Sequence, residues 1–132
     1  MKKIIFINVI VLIIFFLDRF LKSFFHHAKR GFLFFKNFYL AFDLPLPKNI
    51  LIILIIIIIF ISFFFLIKSY QKKNIFLIFS LTLIILGAFS NLLDRLVYGY
   101  VIDYINIPFF TVFNLADTMI VGGIILICLF KI

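Results

Sequence analysis

The chain has 132 residues, 67% of them hydrophobic and only 14% charged, with a net charge of +8 and a mean hydropathy of +1.35. A soluble domain carries ~45–50% apolar residues, so a water-soluble globular protein is excluded. The Lys and Arg residues are scattered through segments flanking apolar runs, a pattern that suits anionic lipid headgroups and offers nucleic acid no basic face.

A bilayer-spanning helix needs ~20 mostly apolar residues, and four stretches qualify: about Ile4–Phe25, Asn49–Ile67, Ile75–Leu93 and Phe113–Phe130. Together they predict an all-α integral membrane protein, with residues 1–132 forming a single four-span domain. The first run begins after Met1-Lys2-Lys3 and contains Asp18, Arg19 and Lys22 where a signal peptide would have its cleavage region. It therefore reads as a retained helix. Asp18 and Lys22 are four apart, the spacing of an intrahelical ion pair, and burying either alone would be costly. His26 and His27 read as interfacial loop residues rather than metal ligands, because adjacent histidines cannot easily face one ion.

The loop from His26 to Lys48 contains Gly31–Phe35 and Phe38–Phe42, apolar runs too short to span. They suit an interfacial or re-entrant element, or a small strand pair on the membrane surface. Pro45 and Pro47 punctuate the chain before the second span, whose Ile-rich centre reads as lipid-facing. The connection from Lys68 to Asn74 is short and basic.

In the third run Gly87, Asn91 and Arg95 recur every four residues, with Asp94 three beyond Asn91. On a helix they share one broad face, and Gly87 permits close helix approach. The same residues could simply form a polar helix end. Asp103 follows in the alternating stretch Val101–Ile105, and Asn114 and Asp117 open the fourth run three residues apart. Asn114 could act as a helix N-cap and Asp117 as a first-turn acid. Cys128 has no partner for a disulfide and reads as inert packing. The tyrosines at 39, 70, 98, 100 and 104 stand in for absent Trp anchors at the span ends.

With four spans, both termini share one membrane face. Six lysines on that side stand against five Lys/Arg on the other, so the positive-inside rule leans only slightly to cytoplasmic termini. Whatever the orientation, Asp18, Lys22, Asn91–Arg95, Asp103, Asn114 and Asp117 approach the same face. Two carboxyls close together in a low-dielectric site cannot both ionise. One draws a proton from water while the other polarises a carbonyl, which is amide hydrolysis without serine, cysteine, metal or cofactor. Spacing alone leaves Asp94 and Asp103 as rival partners for Asp117. A small four-helix transport or ion-conducting subunit is the alternative, although such a protein should carry charges at the midplane of several helices.

The run Asn91-x-x-Asp94-Arg95, Val101-x-Asp103 and Phe113-Asn114-x-Ala116-Asp117 resembles signal peptidase II, the lipoprotein signal peptidase family of bacterial inner membranes. Asp18…Lys22 and Asn37-x-x-x-Ala41-Phe42 extend the resemblance over the whole chain. It implies an aspartyl endopeptidase with Asp103 and Asp117 as catalytic pair. Asp18, Lys22, Asn37, Gly87, Asn91, Asp94, Arg95, Asn114 and Ala116 are the implied supporting residues. The implied substrates are diacylglyceryl-modified prolipoproteins, cut just before the lipidated cysteine near the outer face of the cytoplasmic membrane. The termini would be cytoplasmic, the protein a monomer among membrane lipids, and globomycin its inhibitor. Tyr39 stands where the family usually has glycine, Leu21 where it has Ser or Thr, and Leu86 and Ser90 where glycines precede the asparagine.

Overall fold

The computed structural model describes residues 2–28, 34–39, 46–109 and 111–129. Four helices account for most of it: α1 (Lys2–His27), α2 (Lys48–Gln71), α3 (Ile75–Val97) and α4 (Leu115–Leu129). The first three are long and apolar enough to cross a membrane, and α4 is a shorter apolar helix of 15 described residues. Phe130 and Lys131, and in the first loop Lys29 to Leu33 and Leu40 to Pro45, lie outside the described residues. The Ala41-Phe42 part of the first-loop motif is therefore among them.

Each outer helix buries one narrow seam. On α1 it is Val11, Phe15, Asp18 and Lys22; on α2 Leu51, Ile55, Ser62, Leu66 and Ser69; on α4 Ala116, Met119 and Gly123. These steps of three, four or seven residues place each seam on one face of a helix. All three helices pack against α3, which buries residues around most of its circumference, from Ile78 to Arg95, and exposes the face of Phe89 and Leu96. Between α3 and α4 the approach is set by glycine. A Cβ on Gly87 would sit 2.6 Å from the Ala116 carbonyl oxygen, and one on Gly123 2.6 Å from that of Ser80. Small residues let membrane helices meet backbone to backbone in this way.

The basic connection is a tight turn. Lys73 takes φ 53°, and the Asn74 side chain caps α3 by accepting the Leu77 N–H at 3.1 Å. The other connections carry strands. β1 (Phe35–Asn37) pairs antiparallel with β2 (Val101–Asp103), and β3 (Ile105–Ile107) with β4 (Thr111–Phe113). The described part of the first loop thus contributes one strand, and its partner comes from the α3–α4 connection. That connection places Asp103 at the end of β2, opposite Phe35.

Three sequence expectations are corrected. His26 and His27 form the last turn of α1 rather than a loop. Cys128 is exposed on the outside of α4 rather than packed within. Tyr104 is not an interfacial anchor, because its hydroxyl is drawn into the polar core.

Candidate functional site

The seam of α1 changes character within two turns, from Val11 and Phe15 to the fully buried Asp18 and Lys22. Buried charges must be paired and hydrogen-bonded, and the partners come from the end of α3. Lys22 Nζ lies 3.1 Å from Asp18 Oδ2 and 3.0 Å from Asp94 Oδ2. It also donates to Asn91 Oδ1 at 2.9 Å and Ser90 Oγ at 3.2 Å. Arg19 reaches the other oxygen of Asp94 and also the Ser90 carbonyl and hydroxyl. The Ser90 hydroxyl donates a hydrogen bond to Asp18 Oδ2 at 2.6 Å. The Asp18–Lys22 pair is thus real, but it belongs to a four-charge cluster, and Asp94 is held by Arg19 and Lys22 instead of its neighbour Arg95.

This cluster borders the two candidate aspartates through Asn91. Lysine can only donate hydrogen bonds, so the Asn91 carbonyl oxygen must face Lys22. The amide nitrogen must then point the other way, and it donates to Asp117 Oδ1 at 2.7 Å. A donor-only cation on α1 therefore fixes which atom of Asn91 meets the carboxylate on α4.

Asn114 does a comparable job from the start of α4. Its Oδ1 accepts the Asp117 N–H at 2.9 Å, and its own N–H goes to Asp117 Oδ2 at 3.1 Å, a reciprocal capping arrangement. With its oxygen so used, Asn114 Nδ2 donates to Asp103 Oδ1 at 2.7 Å and Asn91 Oδ1 at 3.1 Å. The N-cap and site readings of Asn114 hold together: one side chain caps the helix and touches Asp103 and Asn91. Asn37 on β1 donates to the remaining oxygen of Asp103 at 3.0 Å, reaching diagonally across one face of the ribbon.

The other free N–H groups of the α4 N-terminus are also met by side chains. Ala116 donates to Asp18 Oδ1 at 3.1 Å, and Leu115 to the Tyr104 hydroxyl at 3.1 Å. Each orphan donor of a helix start needs such a partner in a low-dielectric setting. Burial, followed by the adjacent Asp18 charge, pushes the Tyr104 phenol well above its ordinary pKa, so it remains a proton donor.

Asp103 is 2% exposed. Burial, and after it the Asp117 charge, raises its carboxyl to about 7, against the opposing pull of hydrogen bonds from Asn37 and Asn114 and the charge of Lys22. Asp117 is half-buried, the more exposed member of the pair. Among the described residues, no three His, Cys, Asp or Glu side chains converge as a metal site would require.

Of the remaining sequence-predicted residues, Ala116 meets Asp18 and Gly87 sets the α3–α4 approach. Arg95 does not touch either aspartate of the pair. It donates to the Tyr39 carbonyl at 3.0 Å and to the Asn91 carbonyl at 3.3 Å, tying the first loop to α3. Sequence reasoning overlooked Arg19, Ser90 and Tyr104 as site residues. Arg19 carried a usable signal: a cation in an apolar span requires an acid from another helix.

This arrangement defines a membrane protein of packed apolar helices whose buried charged and amide side chains gather at one end around two aspartates. Residues 9–132 match the family model described as signal peptidase (SPase) II, and the chain belongs to that family. Within it, 49 residues are 55% identical to a lipoprotein signal peptidase of Caldicellulosiruptor bescii, covering 37% of this chain and 33% of that protein. Another 68-residue match, to the lipoprotein signal peptidase of Streptococcus thermophilus, is 43% identical and covers 50% and 44% respectively. The matched stretches thus span less than half of these curated relatives. A bacterial membrane enzyme solved by the in meso method at 2.3 Å aligns over 99% of this chain and 89% of its own. Its TM-score is 0.76 and its identity 25%.

Proposed function

We propose that this chain is an aspartyl endopeptidase of the bacterial cytoplasmic membrane that removes signal peptides from diacylglyceryl-modified prolipoproteins. The cut falls just before the lipidated cysteine. The observation that carries this reading is the joint hold of Asn91 and Asn114 on Asp103 and Asp117, in a chain of the signal peptidase II family.

Asp103 and Asp117 act as a pair sharing one proton. The ionised carboxylate takes a proton from water as the water oxygen bonds to the scissile carbonyl carbon. The protonated carboxyl donates to the carbonyl oxygen. When the tetrahedral intermediate collapses, the carboxyl that took the water's proton gives it to the amide nitrogen, the former carbonyl oxygen returns its proton to the other carboxylate, and the C–N bond breaks. Asn37, Asn91 and Asn114 hold the two carboxylates and do no chemistry themselves.

On this reading residues 1–132 are one domain and α4 completes a fourth crossing. The termini are cytoplasmic, the polar end lies near the outer face, and the enzyme works as a monomer that globomycin inhibits. The transport alternative is disfavoured because the buried charges collect at one end of the bundle and do not line a path through its middle.

Lipid on the substrate is the discriminating feature. Acyl chains can enter sideways among exposed apolar helix faces, each buried methylene contributing ~0.8 kcal/mol. Initial rates on lipidated and unlipidated forms of one precursor test this. The lipidated form is cut faster by orders of magnitude; equal rates would refute the assignment to lipoproteins.

A further inference from the structure

Asp103 and Asp117 sit on separate elements, the end of β2 and the first turn of α4, and their separation must be maintained across the β3–β4 hairpin that intervenes. Tyr104 directly follows Asp103. Its ring stacks on Phe25 of α1, with centroids 5.2 Å apart and planes 5° from parallel. Its hydroxyl donates to Asp18 Oδ1 at 2.8 Å and accepts the Leu115 N–H at 3.1 Å. Asp18 Oδ1 also takes the next N–H of α4, from Ala116. One phenol therefore joins the residue beside Asp103, the buried acid of α1, and the helix start two residues before Asp117.

The geometry points to Tyr104 as a positioning residue, whose hydroxyl sets the separation of the Asp103 and Asp117 carboxylates by clamping the first turn of α4 to the end of β2. This deepens the aspartyl-peptidase reading and rests on it. No other side-chain hydroxyl bridges these elements among the described residues. A phenylalanine would keep the stack on Phe25 while freeing the Leu115 N–H and one acceptor of Asp18. The first turn of α4 would then draw away from Asp103.

The test is Tyr104→Phe in the full chain, in detergent or bilayer, with two readouts. In cleavage of a lipidated precursor, kcat falls by ~10–100-fold, as small misplacements of reacting groups do, while KM stays within ~2-fold because the lipid-binding surfaces are untouched. The second readout needs no turnover: isotope-edited infrared titration of the Asp103 carboxyl. The groups that face it are Asp117, Lys22, Arg95, Asn37 and Asn114. Removing the clamp weakens the influence of Asp117 and lowers the Asp103 midpoint. An unchanged midpoint overturns the inference, as does a loss of folded protein with unchanged kcat and midpoint per folded molecule. If the wild-type chain does not cleave the precursor, the peptidase reading fails separately, and the titration still decides whether Tyr104 sets the carboxylate pair.

Discussion

α2 and α3 follow one another in the chain and have nearly equal lengths, 24 and 23 residues, yet they do opposite work. α2 buries five residues along one seam and exposes Phe60, Phe63 and Phe64 among others. α3 buries twelve, including Ser90, Asn91, Asp94 and Arg95. The more apolar helix is the peripheral one. In a bilayer, hydrophobicity licenses a segment to enter but gives it no reason to pack, since lipid tails are as apolar as leucine. Small residues that allow contact, and polar residues that demand partners, make α3 the hub.

Replacing the donors that α3 relies on should therefore matter most. Lys22→Met removes the shared counter-ion of Asp18 and Asp94 and frees the Asn91 amide to turn. A loss of ~3–5 kcal/mol is expected, together with loss of cleavage. Unfolding in detergent, monitored alongside activity, checks both.

The close approach of α3 and α4 offers a sharper contrast. Gly87→Ala forces a methyl against the Ala116 backbone and should cost ~1–3 kcal/mol while displacing Asp117. Gly122→Ala, on α4 with open space around it, should have almost no effect. Equal stability of the two variants would break the argument that α3 is packed to backbone contact.

The pH dependence of stability isolates Asp103. Its folded pKa of about 7 lies above the ordinary value of 3.8, so between these values the folded state holds a proton that the unfolded state releases. The stability it contributes is full below pH ~4 and is lost as pH rises through ~7. Asp103→Asn, which cannot ionise, should flatten that decline and leave an inactive protein more stable than wild type at pH 8. Unfolding midpoints measured from pH 4 to 8 would reveal it. On the other side of the comparison, Phe60→Leu on the outer face of α2 should change stability by no more than ~0.5 kcal/mol.

Much of this was legible in the sequence because the relevant physics is local. Apolar runs located α1, α2 and α3 to within a few residues at most ends, and the spacing Gly87, Asn91, Arg95 identified the packed face of α3. Convergence of the polar residues followed from helix parity alone. What could not be read were choices among distant partners. Nothing near Asp94 in sequence indicates that its cations lie on α1, more than seventy residues earlier, while Arg95, one residue on, turns to Tyr39. The pairing of β1 with β2 is similarly non-local, and it brings Asn37 to Asp103. Ser90 looked like a departure from a glycine pattern, yet its hydroxyl became a junction for Asp18, Arg19 and Lys22. Tyr104 looked like an interfacial ring because its residue type suits that role. Only the position of the α4 N-terminus reveals what its hydroxyl does.

The claim on which the rest depends is that Asp103 and Asp117 work as one acid–base pair. Single-turnover cleavage of a lipidated precursor by the wild type, Asp103→Asn, Asp117→Asn and the double variant tests it directly, with folding and insertion verified for each. Each single variant should lose ~10²–10⁴-fold or more in rate, and the double variant should be little worse than either, because groups acting as a unit are not additive. Turnover by either single variant at a rate comparable to wild type would contradict the account.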